Sequence, residues 1–225
     1  ALARNVSIVD SVLFNGPRAA INLNDGFGAG HASERNVVYN WVRETQDHGP
    51  INTWDRQTYV QPDGGLYPAW NYVSHNLIMN GPSGTRDLGN LFPAVDNDDG
   101  SQEYWISRNV MVYGGTKNYL GENKVWDSNL IVAPERWSGD TCLCAWGGRL
   151  HVYSNNTCVR VSDDSPMYYD ASVGGAECAL DFSNATLAEW VPELRSNTYH
   201  TASGALTVGC GGDQPSYSLA DLQGF

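Results

Sequence analysis

The chain has 225 residues, of which only 17% are charged, against roughly 25% in an ordinary globular domain, while Gly (24), Tyr (12), Trp (8) and Phe (5) are prominent. A net charge of −12 excludes nucleic acid, whose binding is led by Lys and Arg, and counts equally against an anionic membrane surface. No run reaches the ~20 apolar residues of a membrane span, and ALARNVSIVD lacks the basic start and apolar core of a signal peptide.

In chain order, ARNVSIVDSVLF is already strand-like, and DSVLFNGP (10–17) opens a phrase that recurs. Asn36 begins NVVYN, Asn76 begins NLIMNGP, Asn109 begins NVMVYGG and Asn129 begins NLIVAP, with a weaker copy, SNNTCVRV, at 154 that places Asn155 in the series. From Ser11 to Asn155 the steps are 25, 40, 33, 20 and 26 residues. Repeats of this length, each holding one apolar strand and a polar turn, mark a solenoid, because a single coil cannot bury its own apolar face. β-Branched residues in each copy favour strands, and an Asn at one place per coil predicts a ladder of side-chain amides between turns. The expected fold is all-β, a right-handed parallel β-helix. Asn36, Asn76, Asn109 and Asn129 are expected at one corner, with Val37, Leu77, Val110 and Leu130 pointing inward. The ends, ARNVSIVD and SLADLQGF, carry no polar cap of the kind solenoids need, so the chain reads as a fragment of a longer one.

Coils are expected over 1–160, interrupted by a Pro/Gly/aromatic insertion at about 57–72 and a second one at 82–103 that ends in DNDDGSQE. If the first two coils stack without slippage, Arg18 lies over Arg43 and Asn22 over Asp47. Residues 161–225 lose the period and read as an irregular extension packing on or capping the solenoid, with a short helix begun by Ser183 or Asn184 and a late strand pair in NTYHTASGALTVGCGG (197–212). Five Cys (142, 144, 158, 178 and 210) all fall in the last 40% of the chain; the CxC spacing is not that of a zinc site. Disulfides in an oxidising compartment are the reading, and the sequons at Asn5, Asn155 and Asn184 agree with an extracellular glycoprotein.

Candidate chemistry concentrates in three segments. DHGPINTWDRQ (47–57) offers Asp47, His48, Asp55 and Arg56 as base, acid and cation beside Trp54, a set suited to proton transfer next to a sugar ring stacked on an aromatic face; a well-bonded structural loop is the plain alternative. NDGFG (24–28) adds Asn24 and Asp25, which with Arg43 and Trp54 form the expected substrate contacts; a plain turn is the alternative for Asn-Asp-Gly. DNDDGSQEYW (96–105) carries Asp96, Asp98, Asp99 and Glu103, hard oxygen donors of the type Ca²⁺ selects, although the spacing is not an EF-hand. Lys117 and Lys124 could neutralise them instead of a metal, and a solvated acidic turn is the plain alternative.

NGPRAAINLNDGFG, DHGPINTWDRQ, DNDDGSQEYW, YGGTKNYLG and SLADLQGF together resemble a group of uncharacterised secreted right-handed β-helix proteins, distantly related to polysaccharide lyases and alginate-epimerase-like proteins. The resemblance covers most of the chain up to Asn129 and resumes in the last twenty-five residues. It implies the fold and an extracellular setting, and it carries no site residue over. Two functions remain open. One is a carbohydrate-binding or carbohydrate-active protein on an extracellular polysaccharide. A lyase or epimerase would use Arg56 or Arg43 to neutralise a carboxylate, His48 as base and Tyr59 or Tyr104 as acid; a hydrolase would pair Asp25 with Asp47 or Asp55. Net acidity weighs against an anionic substrate. The other is a non-catalytic structural or adhesive module of a matrix, wall, filament or appendage, whose partners are other copies or segments of that assembly.

Overall fold

The computed structural model describes residues 4–24, 30–45, 48–54, 59–60, 66–67, 70–79, 93–132, 142–145, 149–160, 168–170, 193–201, 207–210 and 217–218. These residues contain no helix. A first sheet stacks Ser7–Val9, Ala32–Glu34, Asn71–Ser74, Tyr104–Ser107, Lys124–Asp127, Val152–Ser154 and Glu193–Arg195, all parallel. A second stacks Val12–Phe14, Val37–Tyr39, Leu77–Met79, Val110–Val112, Leu130–Val132, Thr157–Val159 and Thr198–His200. The third runs Ile21–Asn24, Ile51–Trp54, Val95–Asn97 and Thr116–Asn118. Its stack is carried on by the parallel strands Leu143–Ala145, Tyr168–Asp170 and Thr207–Cys210, tied to it by Thr116 N–H donating to Cys142 O at 3.3 Å. The chain visits the three sheets in the same order on each circuit, which is a parallel β-helix.

The predicted ladder stands at the corner between the first and second sheets. Each Asn Oδ1 accepts from the backbone N–H and the Nδ2 of the Asn one rung above, at 2.9–3.1 Å for Asn76, Asn109 and Asn129. Each Nδ2 gives its other hydrogen to a carbonyl of the rung above: Asn76 to Ser33 O, Asn109 to Val73 O and Asn129 to Ile106 O. Two donors and two lone pairs are thereby all used, so the amide can be buried without the ~1–3 kcal/mol cost of an orphaned polar group. The residue before each ladder position turns the corner in the left-handed region. Asp10, Arg35, His75, Arg108, Ser128, Asn155 and Ser196 have φ between 50° and 57°, a conformation disfavoured for L-residues that none of these polar, unbranched side chains aggravates.

Three details differ from expectation. The sixth ladder residue is Asn156, not Asn155, and Asn197 extends the ladder by one more rung. Inside the solenoid lie the middle residues of each second-sheet strand, Val38, Ile78, Met111, Ile131 and Cys158. Val37, Leu77, Val110 and Leu130 therefore point outward, since neighbours in a strand take opposite faces. The sheets also do not stop at 160, because Glu193–Arg195 and Thr198–His200 add a full rung to the first two. The helix expected near Ser183 lies outside the described residues.

The core joins Val73, Ile106, Trp126 and Tyr153 of the first sheet to Ile78, Met111 and Ile131 of the second and Ile21, Ile51 and Val95 of the third. Trp126 and Tyr153 stack with ring centroids 6.3 Å apart. Within it Cys142 and Cys158 form a disulfide with a Cα–Cα distance of 6.0 Å, a crosslink of the kind that persists in oxidising compartments. Cys144 and Cys210 lie in strands, and Cys178 is outside the described residues. The first insertion holds a small antiparallel hairpin, Tyr59–Val60 with Leu66–Tyr67. Within the second, Val95–Asn97 is a rung of the third sheet rather than loop.

Candidate functional site

The residues expected to gather on one face are divided between two corners of the third sheet. His48 and Arg43 lie at its entrance, where the chain arrives from the second sheet; Asn24, Trp54 and the acidic run lie at its exit, toward the first. His48 and Trp54 are six residues apart, the second half of that path being the strand Ile51–Trp54, which allows a separation of up to ~20 Å at ~3.3 Å per residue. Asp25, Asp47, Asp55 and Arg56 lie outside the described residues.

At the entrance, the first two coils stack at an offset of 25 residues as far as Trp41, whose ring lies on Gly16; a Cβ there would come within 1.8 Å of it. Val42 N–H donates to Arg18 O and Arg43 N–H to Gly16 O at this corner. The offset then becomes 30, because Ile21 pairs with Ile51 and Asn22 with Asn52. The expected alignment of Asn22 over Asp47 is thus replaced, and Arg18 meets His48 rather than Arg43. Arg18 Nε and Nη2 lie 3.0 and 2.7 Å from His48 Nε2. A guanidinium has only donors, so Nε2 accepts and the ring proton sits on Nδ1. The nitrogen lone pair that a general base would use is occupied by Arg18.

At the exit, Asn24 pairs with Trp54 as the last register position of the first two third-sheet strands. Alternation from the inward Ile51 and Val95 puts Asn22, Asn52, Asp96 and Lys117 on the outer surface of this sheet, in one column. Asp96 is nonetheless 0% exposed. Lys117 Nζ lies 3.2 Å from Asp96 Oδ1 and 3.0 Å from Asp98 Oδ1. The fully buried Lys124 donates to Leu120 O at 2.7 Å. Burial holds its amine well below the usual lysine range, against the pull of Asp96 and Asp98 and with a further push from Lys117. Asp96 and Asp98 are thus ion-paired with Lys117. Among the described residues no three His, Cys, Asp or Glu side chains converge to hold a metal. Asp99 and Gly100 supply the positive φ of the turn that follows, and Ser101 closes it onto Asp98 O. Thr53 Oγ1 bonds Asn97 Oδ1 at 2.9 Å and Ser101 Oγ at 2.7 Å, so this turn is anchored to the rung above.

Past the same corner the first sheet carries a feature the motifs did not signal. Tyr72 and Trp105 occupy paired outward positions on successive rungs, ~4.8 Å apart. They are 43% and 39% exposed. Trp70 meets Trp105 edge to face, with centroids 5.8 Å apart and planes at 72°. Next to Trp70, Asn71 N–H donates to Glu103 O at 2.8 Å, and Glu103 Oε2 is buried with no hydrogen-bond partner among the described residues. The signal was available, because Tyr72 and Trp105 each stand four residues before a ladder Asn, Asn76 and Asn109. Of the sequon residues, Asn5 and Asn155 are exposed, Asn155 Nδ2 donating to Asp127 at 2.9 Å; Asn184 is outside the described residues.

No protein-family model, curated protein or solved structure matches the chain.

Proposed function

We propose that this is an extracellular carbohydrate-binding solenoid that holds a polysaccharide across the exit corner of the third sheet. The observation that carries the reading is the exposed Tyr72–Trp105 pair, braced by Trp70. Aromatic rings fixed by a sheet lose little side-chain freedom on binding, and they present flat apolar faces to the C–H face of a pyranose. Asn24 and Trp54 end the third-sheet strands that lead to this corner. A net charge of −12 favours a neutral over an acidic polymer. A Cys142–Cys158 crosslink accords with a secreted protein. Catalysis by His48 has no support in the geometry at Nε2, so the reading is binding rather than turnover.

Affinity electrophoresis tests this directly. Migration through gels containing xylan, mannan or a neutral β-glucan should be retarded, and Trp105→Ala and Tyr72→Ala should each restore free migration without loss of fold. Free migration of the unaltered protein in every neutral gel, or retardation only in pectate or alginate, would remove the reading. A structural or adhesive module is the second reading, favoured by the uncharged outer surface of the second sheet.

A further inference from the structure

That surface leads to an inference independent of carbohydrate. On the outer side of the second sheet two columns run along the solenoid. One is Val12, Val37, Leu77, Val110, Leu130 and Thr157; the other is Phe14, Tyr39, Met79, Val112, Val132 and Val159. Over six rungs neither column contains a charge, in a chain with 38 charged residues (13 basic plus 25 acidic). The inward residues between them, Val38, Ile78, Met111, Ile131 and Cys158, are buried, while the column members remain partly exposed. At the first rung Val12 is 60% and Phe14 51% exposed. Strands that read as unbroken apolar runs are those buried on both faces, and here only the inner face is buried.

We infer that this face is an isologous interface between two copies of the chain. The surface is about 30 Å tall at ~4.8 Å per rung, and its two columns have no charge for a charged partner to read. A second copy brings the same apolar surface with the same rung spacing, and sheets pack face to face at ~10 Å. Twofold, self-complementary pairing is the commonest form of assembly. Elsewhere two chains of net charge −12 repel, and the uncharged face is where they can approach with least penalty. With ~12 Å of width the footprint is on the order of 400 Å² per copy, about half of a standard interface. The dimer is therefore weak, populated at micromolar concentration and above.

Sedimentation of the intact chain across ~1–500 µM, at low and high NaCl, provides the test. The weight-average mass should climb toward twice the monomer over that range. Salt should strengthen the association, because it screens the repulsion between like-charged copies while leaving apolar burial intact. Val110→Lys with Leu130→Lys, both outward and so compatible with folding, should hold the protein monomeric throughout; Val125→Lys on the first sheet should not. A wild type that stays monomeric to ~500 µM, a dimer that survives the double lysine variant, or one that salt weakens would each overturn the inference. So would saturation of the face by an added amphipathic helical peptide in a protein that never self-associates.

Discussion

The first and second sheets share a corner, a ladder and an interior, yet their outer surfaces have almost nothing in common. Inside, Val73, Ile106 and Trp126 of one meet Ile78, Met111 and Ile131 of the other in one core. Outside, the first sheet alternates aromatic or aliphatic with polar side chains, as in Tyr72 and Ser74 or Trp105 and Ser107. Its carboxylates are engaged locally. Asp127 is half buried, which pushes its pKa up, but hydrogen bonds from Ser154, Asn155 and Ser128 with the charge of Arg108 outweigh that and bring it below the usual range. The second sheet presents only uncharged columns over its first six rungs, with Thr198 and His200 taking the column positions at the seventh. Stacking demands nothing of the outer positions, so whatever distinguishes them reflects what each face meets.

The largest expected effect falls on the corner both faces share. Asn109→Ala removes the acceptor for Asn76 N–H and Nδ2 and strands Val73 O. Several buried groups are orphaned at once, so the cost should be ~3–5 kcal/mol, read by chemical denaturation, with both faces lost in a single transition. A small effect, or a change confined to one face, would mean that the ladder is not a joint strut.

Next comes the contrast within one strand. Ile131→Ala should cost ~2–5 kcal/mol, as an inward deletion in a close-packed core does, whereas Leu130→Ala, its outward neighbour, should cost below ~1 kcal/mol and instead weaken self-association. Equal losses of stability would show that the outer column is as buried as the inner one.

This contrast also marks how far the sequence could be read. The period, the parallel topology and the ladder corner follow from the phrase itself, since only a stacked Asn satisfies four hydrogen bonds at once. Facing did not follow. In N-L-I-V either Leu130 or Ile131 could be the inward residue, because an apolar run lacks the alternation that sets register. Only the left-handed residue before each Asn decides it, and a backbone φ leaves little trace in the letters. At the site the acidic run and its basic alternative were legible. The pairing of Arg18 with His48 was not, because it depends on a shift from a 25- to a 30-residue offset between Trp41 and Ile51, within one unbroken-looking phrase.

A more moderate gain should come from Lys124→Met. The ammonium is desolvated inside the first sheet with Asp96 and Asp98 nearby, and replacing a buried charge by an apolar side chain of similar length is often neutral or stabilising. With Lys117 still bonded to both carboxylates, thermal stability should hold or rise. The lowered folded-state pKa also makes wild-type stability rise with pH in the window between that pKa and the unfolded value near 10.5, and the variant should lose this slope. A strong loss of stability in the variant would identify Lys124 as a required partner of the carboxylates.

The smallest effect distinguishes the upper end of the first sheet from that of the second. His31 Nδ1 accepts from Val6 N–H at 3.3 Å, and its backbone N–H donates to Asn71 Oδ1 at 3.1 Å. Burial lowers its pKa from 6.5, and a protonated ring would lose the acceptor that Val6 uses. A histidine whose folded pKa is depressed takes up its proton in the unfolded state first. Its favourable contribution is therefore complete above pH ~6.5 and declines as pH falls from there toward the folded pKa. The second sheet has no histidine or carboxylate at the equivalent rung, where Val12–Phe14 rest on Val37–Tyr39. Amide exchange, corrected for its intrinsic pH dependence, should thus show Ala32, which bonds Val6 O at 2.9 Å, losing protection between pH 7.5 and 5.5. Val37, bonded to Ser11 O at 2.9 Å, should lose less. His31→Gln, which keeps an acceptor and cannot titrate in this range, should remove the difference; equal loss at both amides in wild type would show that the two edges fray together and that His31 is not the cause.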